Sequence, residues 1–172
     1  MMAGAATQIK IKPPWREMVL ELFNYADTGQ EESTAPELPV WRLTEEHWDE
    51  VRRYAAQPRY PEGACILAFG AATDALHIVL EGAIALSRQK LDPEDDREPD
   101  LLGPGAAFGI TGFLDGEASA LEATAASAAS LLVLPRAGLE QLAAWRPLIA
   151  ITLLHDVAAF ASRRLRSAGV AI

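Results

Sequence analysis

A glycine-rich stretch, residues 101–120, holds the side chains best suited to binding chemistry in this sequence. It reads LLGPGAAFGITGFLDGEASA, and Phe108-Gly109 stands directly before a predicted short helical turn. Glycine lets backbone N–H groups turn into a pocket, where such groups can hold an anion. The candidate binding residues are Phe108, Gly109, Ile110, Thr111, Gly112, Leu114, Ser119 and Ala120.

The same stretch carries no basic side chain. No Lys or Arg occurs from Glu98 to Pro135, whereas Asp115, Glu117 and Glu122 add negative charge. A bound anion would therefore meet amide dipoles but no countercharge.

The sequence shows no pattern typical of catalysis or of metal binding. His77 has no second His or carboxylate at metal-ligand spacing, unlike a cupin site. His47 and His155 lie far apart on predicted helices, and Cys65 has no neighbouring His, so we expect Cys65 to be a buried structural thiol. The acidic segment Asp92–Asp100 lacks the ligand spacing of a calcium loop and is interpreted as a charged hairpin loop. We expect no enzyme activity, no catalytic residue, no metal and no cofactor.

The overall charge restricts the partners. Among 172 residues, 24 are acidic and 15 basic, for a net charge of −9. Such a chain repels phosphate backbones, so we expect no nucleic-acid binding. A single Cys argues against a disulfide scaffold and fits a reducing, cytoplasmic location. No apolar run approaches the ~20 residues of a membrane span, and the N-terminus lacks a signal-peptide pattern.

The chain is predicted to divide into an N-terminal segment, residues 1–40, and one domain, residues 41–172. The first segment combines a polar arm, a helix from Trp15 to Ala26 and an acidic, turn-rich linker from Asp27 to Pro39. A further helix is predicted from Thr44 to Ala56, with Thr44 as its N-cap. Pro58 ends it.

From residue 60 to residue 134 the pattern changes to short apolar runs separated by Gly, Pro and Asp. A spacing of about ten residues predicts a small β sandwich or barrel. The predicted strands are Cys65–Phe69, Leu76–Leu80, Ala83–Ser87, Leu101–Leu102, Leu121–Ala125 and Leu131–Leu134. Pro135 opens a short helix, and Pro147 opens a long one that ends near Ala168.

The long final helix carries two apolar stripes. One comprises Leu148, Ile151, Leu154, Ala158 and Leu165, and the other Ile149, Leu153, Val157 and Phe160. Two stripes predict that the helix packs on the barrel with one side and on a second surface with the other.

Three motifs resemble those of the cyclic nucleotide-binding domain family. YPEGACILAFGAATDALHIVLEGAIALS, with Gly63, Gly70 and Gly82, resembles the opening hairpins. LLGPGAAFGITGFLDG resembles the approach to the phosphate-binding cassette, and LLVLPRAGLEQLAAWRP resembles the last strand and first closing helix. The resemblance covers about residues 44–168. It implies an α+β, mainly β fold: a β jelly roll flanked by N-terminal helices and a long C-terminal helix.

The sequence departs from the family at two cassette positions. In members that bind cyclic nucleotides, a Glu after Phe-Gly holds the ribose hydroxyl, and an Arg about nine positions later pairs with the phosphate. Ile110 and Ser119 occupy these places here. Losing both contacts should weaken binding at least ~100-fold, so we expect no tight binding of cAMP or cGMP. Ser119 is interpreted as a turn or strand hydroxyl rather than as a phosphate contact. Glu117 and Glu122 are interpreted as solvated strand-edge charges rather than as a replacement ribose contact.

Two functions remain open at this stage. The first is a regulatory module that acts through protein contacts, with a protein partner or a second copy bound through the C-terminal helix. The alternative is a small-molecule or cyclic-nucleotide sensor, in which non-standard pocket contacts move that helix. A DNA-binding role is not expected, because no recognition helix follows the long helix in this sequence.

Overall fold

The computed structural model describes residues 38–88 and 98–167, which belong to one unit of the chain, residues 34–172. The predicted N-terminal arm, the helix from Trp15 to Ala26 and most of the linker and of the acidic loop lie outside these described residues. The domain boundary at residue 40 stays a prediction.

The first described helix, α1 (Glu45–Arg52), begins at the predicted cap. The Thr44 hydroxyl accepts a hydrogen bond from the His47 N–H at 3.3 Å, and His47 Nδ1 accepts one from the Thr44 N–H at 3.4 Å. This is a capping box in which His replaces the usual Glu. The prediction extended the helix to Ala56, which is wrong. The N–H of Ala56 instead donates to the carbonyl of Val133 at 2.9 Å, so the chain has already left the helix to join a sheet.

Within residues 38–88 and 98–167, eight strands form two antiparallel sheets. The strands are β1 (Arg59–Tyr60), β2 (Cys65–Leu67), β3 (Ala75–Glu81), β4 (Ile84–Arg88), β5 (Asp100–Leu102), β6 (Ala107–Phe108), β7 (Leu121–Ala125) and β8 (Ala129–Pro135). One sheet has the order β1-β8-β3-β6 and the other β2-β7-β4-β5. The predicted mainly β jelly roll is confirmed. The sequence missed β1 and β6, because two residues are too short for a periodic signal.

The central strand β3 separates two hydrophobic cores. Val79 packs between the sheets with Ile84 and Leu131. On the opposite face of β3, Leu76 and Ile78 pack in a second core, which the closing helices complete. Because both faces of this sheet are buried, its strands read as nearly continuous apolar runs rather than as an alternation.

Cys65 corrects one expectation. It was expected to be a buried structural thiol, but it is exposed. On β2 it is Leu67 that faces the core, whereas Cys65 stands at the outer end of the strand. The register between β2 and β7 shifts between Cys65 and Leu67, so these two residues do not share one face as regular alternation would predict.

Three further helices follow: α2 (Ile110–Asp115), α3 (Arg136–Trp145) and α4 (Pro147–Ser167). One of the two stripes predicted on the long helix packs on the barrel, because all four residues of the second stripe are buried, at 9% exposure or less. In the first stripe Leu148, Ile151 and Leu165 are exposed, whereas Leu154 packs partly buried against the core. The second surface predicted for that stripe stays a prediction. No described helix is long and apolar enough to cross a membrane.

The segment before α1 is tied to the last helix and to a turn of the barrel. The Asp156 carboxylate, buried in α4, accepts from the backbone N–H of Arg42 at 2.8 Å and from its Nε at 2.5 Å. The indole N–H of Trp41 donates to the Gly105 carbonyl at 3.3 Å. These contacts join residues more than sixty positions apart, so no local pattern could have predicted them.

Candidate functional site

The candidate site is the segment that connects β6 to β7, residues 108–120, here called the cassette. It consists of Phe108 at the end of β6, the short helix α2 and a loop that ends at Ala120. All eight predicted binding residues lie in this segment, and the structure places each of them differently.

Gly109 makes the sharp entry into α2. Its φ of +72° lies in the left-handed region, where a side chain is strained. A Cβ at this position would lie 2.9 Å from the Ala75 carbonyl oxygen and 2.9 Å from His77 Nδ1. Only glycine fits here without displacing β3, which confirms the turn predicted from Phe108-Gly109.

His77 supports this entry from the neighbouring strand. Its ring stacks on Phe108 with centroids 4.8 Å apart and an interplanar angle of 17°. The side chain is buried, and its Nδ1 has no hydrogen-bond partner among the described residues. Burial lowers the pKa of His77, and a weaker opposing effect comes from a backbone hydrogen bond to Ala75. The imidazole is therefore neutral at pH 7, and sequence reasoning gave it no role.

Ile110 faces the core rather than presenting a polar group. It is half-buried and packs against the hydrophobic cluster formed by β3 and the closing helices. Phe113, one turn later, is buried in the same cluster. A branched apolar side chain therefore fills the position where the resembled family has its ribose-binding Glu.

Ser119 is engaged in its own turn. Its hydroxyl donates to the Leu121 carbonyl at 2.7 Å and accepts from the Leu121 N–H at 3.3 Å. Its backbone pairs with the loop before β3, because its N–H donates to Ala71 and its carbonyl accepts from Gly70. The side chain is 7% exposed. These contacts describe a structural turn hydroxyl.

Of the remaining predicted residues, one is buried and three are exposed to solvent. Gly112 is buried, and a Cβ there would lie 2.6 Å from the Thr73 carbonyl oxygen. Thr111, Leu114 and Ala120 are exposed. Within the described residues there is no group of His, Cys, Asp or Glu side chains that could hold a metal ion.

Arg136 corrects the expectation that the cassette has no nearby cation. It lies one residue beyond the stretch without basic residues, at the start of α3, and folds back onto α2. Its Nη2 donates to the carbonyls of Gly112 and Phe113, at 3.1 and 3.0 Å. The guanidinium therefore caps the C-terminal end of α2, where the helix dipole favours a cation. Only the tertiary fold brings these positions together.

A second concavity lies away from the cassette, between α1 and the junction of α3 and α4. This corner groove has a volume of about 480 Å³ and is lined by Glu46, His47, Glu50, Trp145, Arg146, Pro147, Leu148 and Ile149. Its most exposed apolar side chains are Trp145 and Leu148, at 77% and 78%. The sequence indicated an exposed stripe here but not a groove.

The paired antiparallel sheets, the glycine-led cassette and the closing helices define a β-roll module. The family model for the cyclic nucleotide-binding domain matches residues 57–144. The chain belongs to that family.

Known relatives agree with this assignment. The chain is 38% identical over 127 residues to a protein named Cyclic AMP receptor protein from Thermus thermophilus. The aligned residues cover 73% of this chain and 56% of the relative. The crystal structure of the Thermus thermophilus Catabolite Activator Protein matches with a TM-score of 0.65 and 34% identity, over 75% of this chain and 58% of that one. The N-terminal domain of a transcriptional regulator from Streptomyces coelicolor matches with a TM-score of 0.62 and 27% identity, over 76% and 88%. The chain thus spans a little over half the length of the two Thermus proteins.

Proposed function

We propose that this chain is a non-enzymatic regulatory module that does not bind cAMP or cGMP tightly and acts through protein contacts. The names of its relatives describe a receptor, an activator and a transcriptional regulator. A regulatory role follows from that kinship, and the two finer statements rest on the cassette and on α4.

The proposal rests on the contacts that the Ile110 and Ser119 side chains make. Ile110 packs into the core, and the Ser119 hydroxyl is bonded to Leu121. The resemblance assigns a ribose-binding Glu and a phosphate-binding Arg to these two positions. Each such contact to a charged group is worth about 1.5–3 kcal/mol. The loss of both therefore weakens binding by about 100-fold or more.

Arg136 does not replace the missing phosphate cation. Its Nη2 is bonded to two carbonyls at the C-terminal end of α2, whereas an anion held by helix amides sits at the N-terminal end. To reach a ligand there, the guanidinium would have to give up both carbonyls. The cassette thus keeps its backbone shape without the charges that a cyclic phosphate needs.

The exposed side of α4 supports the proposal that this chain acts through protein contacts. Leu148, Ile151 and Leu165 are 78%, 61% and 41% exposed, while the opposite side of the helix is buried in the barrel. An exposed apolar face of this extent on a folded module marks an interaction site. A second copy or another protein is its occupant in this proposal.

Isothermal titration calorimetry with cAMP and cGMP tests the ligand part. The proposal predicts no measurable heat up to several hundred micromolar nucleotide. A dissociation constant in the low micromolar range for either nucleotide would overturn it. Sedimentation of the same sample tests the protein-contact part, because a strict monomer at high concentration argues against self-association.

A sensor for another small molecule is the second candidate. It is favoured by the intact backbone of the cassette, in which Gly109 keeps its left-handed turn and α2 follows directly. The apolar Ile110 at the entry favours a ligand less polar than a cyclic nucleotide. Titration with metabolites less polar than cAMP distinguishes the two functions, since only a sensor gives saturable heat.

A further inference from the structure

The corner groove is built where the chain passes from α3 to α4. The backbone of Arg146 leaves helical geometry there, with φ −137° and ψ 61°, and Pro147 begins α4 directly afterwards. Proline suits a first helical position, because the N–H that it lacks has no helical partner there. An ion pair at 3.8 Å joins Arg146 to Glu50 of α1, which lines the groove as well. The groove is therefore held between three helices rather than by a loop.

Two large apolar side chains of the groove are open to solvent. Trp145 is 77% exposed and Leu148 is 78% exposed. Neither belongs to the two hydrophobic cores of the described domain. Their exposure therefore does nothing for the packing of the fold, and exposed apolar surface of this kind marks an interaction site. Tryptophan is also enriched among the side chains that dominate the binding energy of protein interfaces.

The α1 side of the groove carries a carboxylate without a countercharge. Glu50 lies 3.5 Å from Arg53 and 3.8 Å from Arg146. Glu46, one turn earlier on α1, is exposed and has no ion pair within residues 38–88 and 98–167. A carboxylate and an indole face that line one groove both attract an ammonium or guanidinium group. The net charge of −9 adds a longer-range attraction for a basic partner and disfavours a second copy of this chain.

We propose that the corner groove binds a short segment of a different, basic protein, in which a Lys or Arg stands beside an apolar side chain. The apolar side chain packs on Trp145 and Leu148, and the cation lies near Glu46 and the indole face. Most of the residues that line the groove are exposed, so the groove suits a peptide segment better than an enclosed small molecule. The inference rests on the action through protein contacts proposed above and specifies a surface and a partner chemistry for it.

Peptide display on the full chain tests the partner chemistry. A random peptide library is selected on the immobilised protein, and an enriched peptide is then synthesised with a fluorescent label. The selected sequences should place Leu, Phe or Trp beside Lys or Arg. Fluorescence anisotropy should show weaker binding at high salt than at low salt, because salt screens exposed charges. Enrichment of acidic peptides, or of no peptide, would overturn the proposal.

Variants of the groove locate the bound peptide. Trp145→Ser should weaken its binding at least ~10-fold, as expected for a tryptophan at the centre of an interface. Glu46→Lys should weaken it about two- to fivefold, the range expected for an exposed ion pair. The same variant should bind more tightly than the parent to a peptide whose Lys or Arg is replaced by Glu, because the pair is restored with its signs reversed.

Two control variants change exposed residues outside the groove. Glu140→Lys makes the same change of charge on α3, and Leu101→Ser removes a 59% exposed apolar side chain from β5. Both should bind the peptide as the parent does, and circular dichroism checks that every variant is folded. A peptide that binds Trp145→Ser as tightly as the parent would contradict the groove as its site.

Further measurements separate this inference from the proposed function. A peptide whose binding is lost in Ile151→Glu but kept in Trp145→Ser would leave action through protein contacts standing, on the exposed side of α4, and would overturn the groove. Sedimentation of Trp145→Ser gives the second separation. A loss of self-association in this variant would assign the groove to an interface between copies and contradict a different, basic partner. Tight cAMP binding in calorimetry would instead overturn the proposed function and leave the peptide measurements as they are.

Discussion

The backbone N–H and the guanidinium of Arg42 both donate to the carboxylate of Asp156, at 2.8 and 2.5 Å. The Asp156 side chain is 2% exposed and that of Arg42 is 51% exposed. The pair therefore holds the segment before α1 against α4, the helix whose exposed side is proposed to contact another protein.

Arg42→Ala should lower the free energy of unfolding by about 1.5–3 kcal/mol, because a buried carboxylate keeps only one of its two hydrogen bonds. Urea unfolding measures this loss. Arg53→Ala is the matched control. Arg53 pairs with Glu50 at 3.5 Å on the surface, so its removal should cost less than about 1 kcal/mol. Equal losses of unfolding free energy in the two variants would mean that the contact between Arg42 and Asp156 stabilises the protein no more than a surface ion pair does.

Gly109→Ala should destabilise the protein more than Gly70→Ala. Both glycines have a positive φ, +72° and +70°, so both variants incur a strain of about 1–2 kcal/mol. Only at Gly109 does the new Cβ also collide with β3, whereas nothing lies within 4 Å of it at Gly70. Thermal or urea unfolding of the two variants compares them directly. A Gly109→Ala protein as stable as Gly70→Ala would contradict this prediction, because it would show that β3 accommodates the new Cβ at little cost.

His77 should make stability fall in acid. Burial lowers the pKa of His77 below its ordinary value of 6.5. Between the two pKa values the unfolded chain binds more protons than the folded one, so the free energy of unfolding decreases as pH falls below about 6.5. It stops decreasing once the folded protein is protonated as well.

Urea unfolding at pH 7.5 and pH 5 measures this dependence in the parent and in His77→Phe, which keeps an aromatic ring against Phe108. His77→Phe should lose part of the pH dependence. An unchanged slope in His77→Phe would assign the dependence to other groups.

Leu148→Glu should abolish self-association without loss of fold. The side chain is 78% exposed, so the monomer tolerates a charge there, but an interface on the exposed side of α4 would have to bury it. Sedimentation equilibrium measures the change, with circular dichroism as the check on folding. Leu101→Glu, at a 59% exposed position on β5, is the control and should leave the association constant unchanged. A dimer that survives Leu148→Glu would lie on another face.

The sequence predicted the features that depend on neighbouring residues. Thr44 caps α1, the strand that ends in Ala125 has its predicted bounds, and the second stripe of α4 is buried as expected, because each follows from local spacing. The sequence could not predict that Arg136 contacts α2, because a hydrogen bond between residues 24 positions apart leaves no local pattern. The expected burial of Cys65 was wrong for a related reason, since the register between β2 and β7 shifts between Cys65 and Leu67 and such a shift involves a distant strand.

In the candidate site, too, local features could be predicted from the sequence and long-range contacts could not. The turn at Gly109 was predictable from Phe108-Gly109 and is confirmed by the backbone, whereas a binding role for the cassette stays a prediction. The His77 ring against Phe108 was not, because antiparallel register between β3 and β6 is set by the whole sheet. The loss of charge at positions 110 and 119 was visible in the sequence. What each residue does instead required the structure.

The most direct test of the central claim is the affinity for cAMP of the parent and of the double variant Ile110→Glu, Ser119→Arg, measured by calorimetry. The account predicts that the parent binds at least ~100-fold more weakly than the double variant, which regains a ribose acceptor and a phosphate cation on an intact backbone. Each single variant should fall between the two. Tight binding by the parent, or a folded double variant that binds no better, would contradict the claim that these two positions determine ligand binding.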